Sequence, residues 1–295
     1  MWTNLLTTSA SDLGPASIVL RLTAIILLLR PMGPWWVAPF ILSIAALALI
    51  SPRVLFAPGT WYTLAILVAA RIIEDWPLAD NHIYLLAYWC LAIGLALGSR
   101  DGIVDIRRAS RLLIGLAFLF AVIWKVALSP DFLDGRFFRV TFLMDPRFEN
   151  VVLLTGGMTP AQLAESREYL MPLVEGAVLV DEPTLDTSPR FEALVYVSTW
   201  GTVFIEAVCA LFFLIPLTNR SAVFQHLLLL MFCLVTYALA PVAGFGWLLL
   251  TMGIATVDAD SRSMRGAYIS AWILVLLYDE IPLAGLLVDW FRLAQ

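Results

Sequence analysis

The chain has almost no lysine. Of its 18 basic residues, only Lys125 is a lysine; the rest are arginines. Histidine is nearly as scarce, with His82 and His226, and cysteine is confined to Cys90, Cys209 and Cys233. So few imidazoles and thiols cannot build a dense structural metal site or a disulfide framework. Each cysteine lies in an apolar run, where a thiol behaves as a small hydrophobe, so neither a metal site nor a disulfide is expected. Charge is sparse as well. Only 14% of residues are charged and the net formal charge is -5, which leaves no basic patch for nucleic acid.

What is abundant is apolar surface. Hydrophobic residues make up 61% of the chain and the mean hydropathy is +0.89, whereas soluble domains are roughly 45–50% apolar. The composition is that of an integral membrane protein. The opening stretch, "MWTNLLTTSASDLGP", has no basic n-region and no small-residue cleavage site, so it is not expected to be a cleaved signal peptide.

Apolar runs fall at 16–30, 35–51, 57–73, 81–98, 110–128, 192–216, 222–240, 242–257 and 266–278, the last extending unevenly to 291. A span needs about 20 mostly apolar residues, so these runs predict an all-α polytopic bundle of about eight or nine transmembrane helices, some short or tilted. The stretches "RPMGPWW", "SPRVLFAPG", "EDWPLADNH" and "APVAGFG" put turn formers between runs. Several tryptophans near run ends suggest an interfacial belt.

Arginine in short loops sets the orientation. The connection "SRDGIVDIRRASR" carries Arg100, Arg107, Arg108 and Arg111 and is placed in the cytoplasm. Counting spans from it puts Arg220, "DADSRSMR", Arg53 and the N-terminus on the same side, with Arg30 as an exception in an outer turn. Residues 129–190 then form one long extracytoplasmic excursion from a single membrane domain, 1–295, in a cell inner membrane. Within that excursion "TPAQLAESREYL" reads as a helix with Thr159 as N-cap, Pro160 at the first position and Gln162 completing a capping box. The following "VDEPTLDTSPR" is acidic and turn-rich.

Lys125 closes an otherwise uncharged run, which admits two readings. A lysine one turn from the interface can lift its ammonium into the headgroups. Arginine does that too, and this chain uses arginine everywhere else; what arginine cannot do is release its proton and act as a base. His82 opens the run 81–98 behind Asp80, a possible N-cap, and is either an interfacial polar residue or a neutral imidazole favoured by the helix dipole. Both residues fall toward the outer leaflet, so adjacent antiparallel helices could bring them together. Arg21 and Glu206 lie deeper, where charges are costly and usually paired, and pairing with each other is one solution. His226 reads as a satisfied interfacial histidine.

The order and spacing of "SIVLRLTAIILLL", "DNHIYLLAYWCLAIGL", "FLFAVIWKVALSPDFLDG", "TVFIEAVCALFFL" and "GFGWLLLTMG" resemble the membrane domain of the vitamin K-dependent gamma-carboxylase and the bacterial horizontally transferred transmembrane (HTTM) proteins. The similarity extends over residues 16 to 257. It implies that Lys125 is the base that deprotonates a reduced quinone and that His82 assists it, with Asn81, Trp124, Glu206 and Arg21 around the quinone. Two departures bear on the activity: Cys233 stands where the carboxylase has a histidine, and the helices are not followed by a counterpart of its large extramembrane domain. The resemblance therefore implies a quinol-linked carboxylase-like or oxidoreductase activity more than glutamate carboxylation. The alternative is a non-catalytic transmembrane subunit packed against other integral membrane proteins in the bilayer. A transporter is less favoured, because no inverted repeat or pair of broken helices is evident.

Overall fold

A computed structural model describes residues 14–30, 33–74, 76, 80–171, 185–215, 219–239, 243–258 and 260–280. Among these, every regular element is helical: α1 (Pro15–Leu29), α2 (Ala38–Ile50), α3 (Pro52–Leu55), α4 (Pro58–Glu74), α5 (Asn81–Gly98), α6 (Gly102–Ile123), α7 (Pro130–Leu133), α8 (Arg136–Met144), α9 (Glu149–Leu154), α10 (Pro160–Leu170), α11 (Pro189–Leu214), α12 (Asn219–Leu239), α13 (Ala243–Thr256) and α14 (Arg262–Glu280). The prolines of the breaker segments act as starters. Pro15, Pro52, Pro58, Pro130, Pro160 and Pro189 each occupy a first helical position, where the missing N–H costs nothing and the fixed φ is already helical.

The expected apolar runs coincide with helices, but length separates them. Asn81–Gly98, Gly102–Leu128 and Pro189–Leu214 are long and apolar enough to cross a membrane; Pro15–Leu29, Ala38–Ile50, Ala222–Tyr237 and Gly244–Thr256 are apolar but shorter. A helix rises about 1.5 Å per residue, so the shorter ones reach roughly two-thirds of a hydrocarbon core about 30 Å thick. The basic stretch read as a connection is itself the first turns of α6.

Chain contacts divide the protein into two compact units. The first comprises residues 1–117, 209–234 and 242–277 and the second 118–208, 235–241 and 278–295. In the first, α4 packs along α5 and α1 packs against α2 and α13. Gly94 makes the α4–α5 approach close: a Cβ there would lie 2.8 Å from the Tyr62 ring. Trp61, Trp89 and Trp247 are fully buried rather than interfacial. The Trp89 indole N–H donates to Thr23 Oγ1 at 3.0 Å, and the Trp61 N–H to the Leu55 carbonyl at 2.8 Å. Trp35, Trp36, Trp76, Trp124 and Trp200 are exposed, so only part of the tryptophan complement can form a belt. Arg107 bonds Asp258 and the Val257 carbonyl, both at 2.9 Å, and Arg111 bonds the carbonyls of Phe213 and Ile215. These bonds tie the start of α6 to the ends of α11 and α13.

The second unit contains more structure than the one helix expected within 129–190. Phe142, Leu143, Phe148, Val152, Met158 and Leu163 bury a small core against Phe191 and Val195 of α11. An aromatic chain, Phe132–Phe138–Phe142–Phe148, links it together with ring centroids 5.1–5.5 Å apart. The capping box forms as expected: Gln162 N–H donates to Thr159 Oγ1 at 3.2 Å, and Thr159 N–H to Gln162 Oε1 at 2.9 Å. Arg167 anchors α10 to the Leu143 carbonyl at 2.7 Å and to Glu149 at 2.9 Å. The turn-rich stretch after α10 lies mostly outside the described residues.

Candidate functional site

The lone lysine meets the buried glutamate. Lys125 Nζ donates to Glu206 Oε1 at 2.7 Å and to Oε2 at 2.6 Å. Only 17% of the lysine side chain and 9% of the glutamate side chain are exposed. Lys125 is therefore not lifted to an interface but neutralised in place. The ring of Phe132, centred 5.3 Å from Nζ, covers the ammonium on another side, a contact the ring quadrupole makes favourable.

Local sequence explains the placement. After α6 the chain continues as a wider π-turn, Trp124–Leu128, then stops at Ser129, whose φ of -129° and ψ of 83° suit a residue preceding proline. Single π-turns of this kind recur at functional sites because they re-aim side chains relative to the helix before them. Next comes Gly135 with φ 81°, a left-handed conformation that admits α7 and α8 on either side of a tight corner. A Cβ at Gly135 would lie 2.9 Å from Val195 Cγ1. The Asp-x-x-x-Gly pattern after Lys125 thus has a structural meaning: Gly135 makes the corner, while Asp131 and Asp134 hold Arg136 at 2.7 and 3.0 Å.

Where the α7–α8 corner meets the first turns of α11 is a cavity of about 210 Å³, lined by residues that include Leu133, Gly135, Arg139, Glu192, Thr199 and Trp200. Arg139 grips Glu192 with contacts of 2.6 and 3.4 Å, and this hydrogen bonding holds its guanidinium above the ordinary arginine range. Thr187 donates to the same carboxylate at 2.9 Å. Gly135 closes the quoted Asp-x-x-x-Gly pattern, but Arg139, Glu192, Thr199 and Trp200 were not singled out by the sequence reading. The signal that could have found them is the seven-residue spacing of Glu192, Thr199 and Glu206, which puts polar groups on one face of α11.

Trp124 aside, the remaining candidates belong to the first unit. His82, half-buried, lies over Gly244, where a Cβ would come within 2.9 Å of the imidazole. Asp80 holds the N-cap position of α5 but makes no side-chain capping bond. Asn81 is exposed. Arg21 has its Nε buried without a hydrogen-bond partner; because Lys125 engages both oxygens of Glu206, the Arg21–Glu206 pairing is not the one realised. Trp124, beside Lys125 in the π-turn, points outward and is exposed. His226 is buried, with Nδ1 3.1 Å from the Tyr268 hydroxyl, and so is satisfied as expected. Cys90, Cys209 and Cys233 are buried and none is in a disulfide. Among the described residues no cluster of His, Cys, Asp and Glu could hold a metal ion.

Comparison with family models, with curated proteins and with solved structures finds no match.

Proposed function

We propose that this chain is a polytopic inner-membrane protein of eight or nine spans, of the HTTM and carboxylase-like type, that uses the Lys125–Glu206 pair as the base for a lipid-soluble quinol. The observation that carries the reading is the direct contact of the only lysine with a buried carboxylate. At low local dielectric the charge-separated form and the neutral amine–carboxylic acid form of such a pair lie closer in energy than in water. When a hydroquinone O–H bond breaks, its electron pair stays on the oxygen and the pair takes the proton. The exposed Trp124 beside Lys125 is a lipid-side surface for an apolar ring.

The orientation proposed places the start of α6 in the cytoplasm and residues 129–190 outside. Bonds from Arg107 and Arg111 to the ends of α13 and α11 support it, because they gather segments assigned to one side. Exposed apolar side chains such as Ile66, Leu95, Phe120 and Phe204 are compatible with lipid contact.

A second reading draws on the same pair. Lys125 and Glu206 satisfy each other, as an ion pair pinning α6 to α11 in a non-catalytic subunit would. Native mass spectra of the gently solubilised wild type and Lys125→Ala separate the readings. Quinone bound to the wild type and lost from the variant is the expected result. A fixed set of partner proteins, unchanged by the substitution and without quinone, would establish the subunit reading instead.

A further inference from the structure

If the Lys125–Glu206 pair collects protons, they must leave it again. The pair itself is nearly closed, with Phe132 over the ammonium and little of either side chain exposed. The cavity whose wall includes Thr199, two turns before Glu206 on α11, offers a route. Its volume of about 210 Å³ is room for several waters, which need polar partners to stay. Arg139, Glu192 and Asp134 provide such partners at its mouth, and Thr199 does so deeper on α11. The Thr199 hydroxyl donates to the Val195 carbonyl at 2.9 Å, which leaves its oxygen lone pairs to accept from water. Thr199 and Glu206 lie two turns apart on one face of α11, about 10 Å along the axis. Phe132, which covers Lys125, is followed directly by Leu133, Asp134 and Gly135 of the cavity wall.

We propose that this cavity is a water-filled vestibule through which protons pass between the Lys125–Glu206 pair and the solvent, with Phe132 as the partition between water and the pair. The proposal deepens the quinol-base reading and rests on it for its purpose. Hydroquinone would approach from the lipid beside Trp124, while protons leave through the aqueous side. Substrate and proton thereby use separate routes, and the pair returns to its starting state without exposing the quinone to water.

Chemical labelling tests the proposal without reference to activity. In full-length protein with Cys90, Cys209 and Cys233 replaced by alanine, Thr199→Cys and Phe204→Cys are treated in lipid nanodiscs with a water-soluble quaternary-ammonium thiosulfonate. Thr199 is 1% exposed and Phe204 71%, so simple exposure predicts faster labelling at 204. A vestibule predicts the reverse, with Thr199→Cys labelled roughly 10-fold faster, because a reactive thiolate requires water and Phe204 faces lipid. Labelling at 199 no faster than at 204 would overturn the vestibule. For the partition, coupling of Glu206 to a water-soluble carbodiimide is followed by peptide mass in the wild type, Phe132→Leu and Phe132→Ala. Rates rising in that order are expected; equal rates in the wild type and a folded Phe132→Leu protein would reject Phe132 as the barrier. Should the labelling succeed while quinone binding survives Lys125→Ala, the base reading falls and the vestibule stands.

Discussion

A single lysine was the most visible residue in the sequence, and its partner decides what it means. Glu206 was equally visible as a charge in mid-run, yet the two are far apart in the chain and their depths could not be read from composition. Arg21 was the partner the sequence suggested for Glu206. Geometry chose Lys125, and removing one member should leave the other buried and uncompensated. Lys125→Met and Glu206→Met are each expected to lower unfolding stability by about 3–5 kcal/mol, and the double variant by less than either alone. Denaturation in mixed micelles measures this cycle, and additive losses would show that the two side chains are not coupled. Lys125→Arg keeps the ion pair but cannot give up a proton. It is expected to retain stability while losing quinol chemistry, and a variant as active as the wild type would eliminate the amine as base.

Among the elements, the π-turn after α6 and the cluster α8 to α10 are where sequence reading fell short. The capping box of α10 was legible because its residues act on each other within one turn. Short helices such as α8 and α9 were not, because they are held by contacts with α11 and by charged anchors rather than by periodicity. One of those anchors is Asp145, whose carboxylate accepts from the Arg147 backbone N–H at 3.0 Å and caps the 3₁₀ turn Pro146–Phe148. Hydrogen bonding to the Arg147 side chain holds Asp145 below the usual aspartate range. A group depressed on folding stabilises above its unfolded value, and that contribution is lost as the pH falls below about 4 and through the folded value. Both side chains are partly solvated, so the amount is less than about 1 kcal/mol. The difference in thermal melting between wild type and Asp145→Asn should therefore shrink as the pH is lowered from 6 to 3; a constant difference would show that the charge contributes nothing.

For the whole molecule, composition pointed to a membrane, since an apolar fraction of 61% exceeds the roughly 45–50% of soluble domains. The number of crossings is a different matter, because three helices are long and apolar enough to cross on their own and the shorter ones need local thinning of the bilayer, snorkelling flanks or neighbours. The eight- or nine-span reading predicts that cysteines introduced at Arg53, Arg108 and Arg262 react with an impermeant maleimide only from the cytoplasmic side, and one at Glu165 only from the other. Reaction of Glu165→Cys and Arg108→Cys from the same side would require a different count.

The sequence by itself determined where the apolar helices lie, because apolar runs are local, and where α10 begins, because Thr159, Pro160 and Gln162 act within one turn. It also singled out Lys125, because the rarity of an amine needs no coordinates to be seen. Tertiary structure alone decided that Glu206 receives that amine, that Phe132 closes over it and that Arg139, Glu192 and Thr199 border one cavity. Pairing of buried charges depends on depth and on the rotation of each helix about its axis. A π-turn of five residues resets that rotation for Lys125, and no apolar pattern records it.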